Sequence, residues 1–128
     1  MKTLSVIYYS GGGHTAKMAE AVASGAAAVA GVRVEVFRIE GRDIIEGRYQ
    51  NDAVLARLDA SEAIIFGSPT YMGGPAAQFK AFADATAERW FARKWVGKLA
   101  AGFTVSSGPS GDKLNTLQYF ATVSYTHL

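Results

Sequence analysis

The sequence predicts an α/β protein built on a parallel sheet. Runs of β-forming residues alternate with helical patterns in the order β-α-β-α-β-α-β-α. That order implies parallel strands joined by right-handed crossovers. Residues 4–9, 63–67 and 98–105 are near-continuous apolar runs, as expected of strands covered on both faces. Each is followed by an unusual loop (residues 10–14, 68–75 and 106–111), so all three loops share the edge where open parallel sheets bind ligands.

Taken in order, LSVIYY (4–9) is the first strand. In residues 15–30, Ala19, Val22, Ala23, Ala26 and Ala30 recur at helical spacing, and their small size implies a helix lying close to the sheet. Gly31 ends it, and RVEVFRI (33–39) alternates as a more exposed strand. GRDIIEGRYQND (41–52) reads as loop, with Asn51 or Asp52 capping a short helix through Leu58. AIIFG (63–67) is the third strand, and SPTYMGGP is a loop bounded by prolines. Residues 76–90 form a helix with Phe79, Phe82 and Ala83 on its apolar stripe. KLAAGFTV (98–105) is the fourth strand, SSGPSG is a second glycine-rich loop, and a fourth helix starts at Asp112 and runs to about Phe120.

A chain of 128 residues is expected to form one domain. With 49% hydrophobic and 19% charged residues it reads as globular. Lys and Arg number 13 against 11 Asp and Glu, so no strong field favours nucleic acid or anionic lipid. The absence of cysteine excludes disulfides and thiolate chemistry. Two histidines without a carboxylate at zinc spacing predict no metal site. The apolar amino terminus ends in glycines instead of a cleavage site, and no run is long enough to span a membrane. The expected location is cytoplasmic.

YYSGGGHT joins a strand to a helix through three glycines, an arrangement that presents backbone N–H groups and the helix dipole to an anion. A Walker A loop is excluded, because Gly13 is followed by His14 and Thr15 instead of Lys-Ser/Thr. Gly11, Gly13 and Ala16 satisfy the dinucleotide fingerprint with Glu40 as a ribose acid, yet that reading gives the other two loops no role. A mononucleotide pocket employs all three. Ser10, Thr15 and the amides around residues 12–14 would hold a terminal phosphate without any cationic side chain, while the other loops clamp a flat ring.

YYSGGGHT, GSPTYMGGPAAQFKAF and KLAAGFTVSSGPSGD resemble the three FMN loops of the flavodoxin-like superfamily. They are most similar to the Trp-repressor-binding-protein-like NAD(P)H:quinone oxidoreductases. The likeness runs from about residue 2 to residue 120 and implies a three-layer α/β sandwich with strand order 2-1-3-4. It also implies that Ser10, Gly12, Gly13, His14 and Thr15 hold the FMN phosphate. Pro69, Thr70, Tyr71, Met72 and Gly73 would run beside the ribityl chain and ring. Ser106, Ser107, Gly108, Pro109, Ser110 and Gly111 would meet the pyrimidine side. Trp90 matches a tryptophan that shapes the substrate space across a subunit interface.

The implied activity passes hydride from NADH or NADPH through the flavin to a quinone, in a ping-pong reaction of two-electron steps. The alternative is a flavodoxin-type electron carrier between protein partners. The resemblance further implies a homo-oligomer, dimer or tetramer. No counterpart of a fifth strand and helix follows, so the FMN-binding domain is expected over residues 1–122. VSYTHL (123–128) departs from the family and reads as read-through sequence. His127 lies near a family histidine that faces the flavin, but that role is not carried onto the tail.

Beside these readings stand plainer ones. Ser10 and Thr15 also suit helix caps. ERWFARKWVGK mixes aromatics with basic residues as single-strand nucleic-acid grooves do, but suits equally a helix end whose aromatics pack internally. With charge nearly balanced, no nucleic-acid partner is expected, and Arg33, Arg38, Arg42 and Arg48 are expected in solvent.

Overall fold

The computed structural model describes residues 1–127. Strand β1 (Lys2–Tyr8) leads through the glycine loop into α1 (His14–Ala27), and β2 (Val32–Arg38) returns beside β1. Gly31, at φ 80°, makes the turn between them. Residues 41–52 are more ordered than a loop. A 3-10 turn (Gly41–Asp43) precedes a hairpin of β3 (Ile44–Ile45) and β4 (Arg48–Tyr49). Glu46 and Gly47 at its tip both take positive φ, as a two-residue type I′ turn requires. The Asn51 side chain then accepts from the Val54 N–H, capping α2 (Asp52–Asp59).

β5 (Ala63–Tyr71) runs four residues past the expected Gly67. SPTY is therefore strand, paired in parallel with β7 (Leu99–Val105) up to Pro69↔Val105. Met72 and Gly73, again both at positive φ, turn it back into β6 (Gly74–Pro75). The helix expected over 76–90 divides at Thr86 into α3 (Ala77–Ala85) and α4 (Ala87–Phe91). Thr86 Oγ1 donates to the Ala83 carbonyl there. The last helix, α5 (Leu114–Thr126), continues through residues 123–126, and Leu128 lies outside the described residues.

The parallel strands stand in the order β2-β1-β5-β7, the expected 2-1-3-4, with β6 antiparallel to the end of β5. From β1 the chain crosses one way to β2 and then back the other way to β5, so right-handed crossovers set α1 and α2 on opposite faces. On the α2 face, Ile7, Ile64 and Phe66 meet Leu55, Leu58, Phe79, Phe82 and Phe120. Fully burying each ring is worth about 2–3 kcal/mol. Trp95 closes this core, its indole N–H donating to Asp59 Oδ1 at 2.7 Å. Arg89 also reaches Asp59, and Lys98 binds the Asp59 and Ser61 carbonyls. These basic residues of the ERWFARKWVGK stretch are thus tied to the fold.

Candidate functional site

The carboxyl ends of β1, β5 and β7 open onto a cavity of about 360 Å³. Its lining is Gly12, His14, Thr15, Pro69, Thr70, Tyr71, Val105, Ser106 and Ser107, with no Asp, Glu, Lys or Arg among them. All three sequence-predicted loops contribute. The volume lies toward the small end of small-molecule pockets, which run from roughly 300 to 1,000 Å³. Two other clefts are larger. One lies between the β3–β4 hairpin and α3–α4, and the other is a groove between β7 and α5. Neither carries the loops at the strand ends.

The first loop is shaped by its own serine. Ser10 is buried, and its hydroxyl oxygen accepts from the backbone N–H groups of Gly13 and Ala16, both at 3.2 Å. It therefore organises the turn from inside and does not point into the cavity. Gly13 has φ 97° directly before α1. A Cβ there would meet nothing within 4 Å, so the glycine is required by backbone conformation and not by crowding. First-turn amides lack intrahelical acceptors. Ser10 satisfies two of the local donors. Among the described residues no protein acceptor faces those of Gly12, His14 and Thr15. The dipole of α1 adds positive potential at the same point.

Arg38 also belongs to this loop. It is exposed, as expected, and its Nη2 also donates to the Ser10 carbonyl at 2.9 Å. The pairing Tyr8↔Arg38 at the ends of β1 and β2 brings it there. Nothing in the residue pattern marked it, because its partner is a backbone oxygen.

In the second loop, Pro69 and Tyr71 line the cavity. Tyr71 is half exposed, and its hydroxyl lies over Gly11, where a Cβ would collide with it. The Thr70 hydroxyl turns inward to Thr104 (2.7 Å) and Thr116 (2.8 Å), which leaves only its backbone for a ligand. Met72 stands fully exposed at the hairpin tip. The Gly73 carbonyl accepts from Asn115 Nδ2 at 2.8 Å. Neither residue lines the cavity.

The third loop is held by a polar clasp. Ser106 Oγ donates to Asp112 Oδ1 at 3.0 Å, and Lys113 Nζ reaches both that oxygen and the Gly108 carbonyl. Lys113 and then Ser106 hold the Asp112 carboxyl below its ordinary range. Ser106 and Ser107 line the cavity, whereas Gly108, Pro109, Ser110 and Gly111 do not. Trp90 is half exposed on α4, beside a separate groove shared with Tyr119 and His127. It does not reach the cavity of its own chain.

His127 is buried under Trp95, ring centroids 4.7 Å apart, with Nε2 3.0 Å from Thr86 Oγ1. It, too, is remote from the cavity residues, lining only the grooves beside α4 and Trp95. Among the described residues, no helix is long and apolar enough to cross a membrane.

Comparison with known proteins agrees with this geometry. Over 127 residues the chain is 39% identical to flavodoxin FldP of Pseudomonas aeruginosa, covering 99% of this chain and 63% of that one. It is 33% identical over 137 residues to an NAD(P)H dehydrogenase (quinone) of Chromohalobacter salexigens, covering 99% and 68%. The chain spans about two thirds of the length of these curated relatives. The crystal structure of a WrbA-like flavodoxin from Agrobacterium tumefaciens matches with a TM-score of 0.85 at 48% identity, over 99% of this chain and 74% of that one. The NADPH-dependent FMN reductase family matches residues 5–127. With that match running from β1 past the end of α5, across all three loops of the cavity, the chain belongs to the NADPH-dependent FMN reductase family.

Proposed function

We propose that the cavity binds FMN and that the protein is an FMN-dependent NAD(P)H:quinone oxidoreductase. One observation carries this reading. Uncommitted donors at the head of α1 open into the same cavity as the end of β5 and the loop after β7, and no Asp, Glu, Lys or Arg side chain lines it. A phosphate fits the first loop, where the amides of Gly12, His14 and Thr15 and the Thr15 hydroxyl act as donors to it. Pro69, the Thr70 backbone and Tyr71 flank the rest of the ligand on one side, and Ser106 and Ser107 on the other. These residues belong to the FMN-binding unit, residues 1–122.

When bound, FMN supplies two-electron chemistry, accepting hydride from NAD(P)H and returning it to a quinone. The protein binds, orients and excludes water. No Asp, Glu, Lys or Arg side chain lines the cavity, so a neutral quinone and a nicotinamide meet the same surface in turn, which gives ping-pong kinetics. The names of the relatives support the activity, several being NAD(P)H dehydrogenases (quinone). Trp90 would act on a partner subunit's cavity in a dimer or tetramer.

Flavodoxin FldP favours a second reading, an electron carrier reduced by a partner protein. Anaerobic mixing of FMN-loaded protein with NADPH separates the two. Rapid bleaching of the flavin band, followed by its return on adding a quinone, supports the oxidoreductase. A flavin reduced only by an added reductase supports the carrier.

A further inference from the structure

The phosphate reading of the first loop gives Arg38 no role, yet Arg38 is a cation that touches this loop. It lies on β2, outside all three glycine-rich segments, and reaches the loop because β1 and β2 end in register. We propose that Arg38 is a positioning residue for anion binding, holding the loop in its receptive form and adding one positive charge beside it.

The geometry supports this through the peptide plane. In a trans peptide the C=O and the following N–H point in opposite directions. The Arg38 Nη2 contact therefore fixes the direction of the Ser10 carbonyl and, with it, that of the Gly11 N–H, which points the opposite way. A free carbonyl at this position would be able to swing toward the bound anion and repel it. Instead its negative end is neutralised by a guanidinium that never deprotonates in proteins. Ser10 is thus held from two sides. Its hydroxyl oxygen organises Gly13 and Ala16, and its carbonyl is held by Arg38. Arg38 itself remains exposed, so it is free to be replaced without opening the core.

This inference rests on the FMN reading, and the test separates the two. FMN and riboflavin, which lacks the phosphate, are titrated by fluorescence quenching into wild type, Arg38→Gln and Arg38→Lys. Arg38→Gln is expected to weaken FMN about tenfold, the scale of a charge-assisted hydrogen bond at a partly solvated site, and to leave riboflavin unchanged. Arg38→Lys, which keeps a cationic donor, is expected to recover most of that loss. Unchanged FMN affinity in Arg38→Gln overturns the inference while wild type still prefers FMN. Equal weakening of riboflavin, or a lysine variant as weak as the glutamine one, overturns it as well. A wild type with no preference for FMN over riboflavin defeats the phosphate reading itself.

Discussion

The hydroxyl of Tyr71 lies directly over Gly11, so that the end of β5 covers the first loop and leaves no room there for a Cβ. The two residues come from different segments, the glycine loop and the end of β5, and Tyr71 lines the cavity. Gly11→Ala should therefore displace the Tyr71 ring, since the half-exposed side chain moves more readily than the backbone. With Tyr71→Phe the offending oxygen is gone, and the next ring atom stands at an ordinary 3.4 Å. A double-mutant cycle of FMN affinity should give a coupling of about 1 kcal/mol, the alanine costing less in the phenylalanine background. Independent effects would show that the contact does not shape the site.

Ser10 and Thr15 look alike in the sequence but should behave differently. Ser10→Ala removes the buried acceptor of two loop amides, as loss of a helix cap does, and should cost the apoprotein about 1 kcal/mol in urea denaturation. Thr15→Ala removes the hydroxyl of a buried residue that lines the cavity, and should destabilise the apoprotein less than it weakens FMN. Its effect should fall on FMN, weakened about 10- to 150-fold as for a hydrogen bond to a charged group. An apoprotein destabilised by Thr15→Ala, with FMN affinity intact, would reverse these assignments.

The fold was largely legible because its elements carry strong local patterns. Ile7, Ile64 and Phe66 lie in apolar runs, the alanines of α1 recur at helical spacing, and Asn51 is a strong cap. The departures have physical causes. Pro69 reads as a strand breaker, but at the outgoing end of β5 it pairs with Val105 without disrupting the ladder. The Glu46-Gly47 and Met72-Gly73 turns need positive φ at a non-glycine residue, which composition alone does not announce. At the site, residue types marked the loops but not the directions of their side chains. Ser10 and Thr70 turn inward, Met72 turns out, and Arg38 arrives from a neighbouring strand.

His127 gives the fold a pH dependence. Thr86 Oγ1 donates its proton to the Ala83 carbonyl, so His127 Nε2–H donates to Thr86, and Nδ1 is buried with no partner among the described residues. Burial lowers the imidazole below its ordinary 6.5, so the folded state favours the neutral ring. Lys98 shares its pocket and gives the imidazolium no compensation; Asp84 lies in the adjoining groove, and Asp59 is already engaged by Trp95 and Arg89. Below pH 6.5 the unfolded chain takes up a proton that the folded one resists. Stability is thus full above that pH and falls as pH drops from 6.5 toward the lower folded value. Urea midpoints measured from pH 7.5 down to 5.5 should decline in wild type and flatten in His127→Gln. Parallel curves for the two proteins would contradict this account of the ring.

The central claim is that the head of α1 holds a phosphate through backbone amides and the Thr15 hydroxyl, with the ring of the ligand between the end of β5 and the loop after β7. The most direct test is a pair of titrations of the purified wild-type chain, with FMN and with riboflavin, followed by flavin fluorescence. The account predicts that FMN binds at least about a hundredfold more tightly, the worth of two or so hydrogen bonds to a charged phosphate. Equal affinity for the two flavins would contradict it.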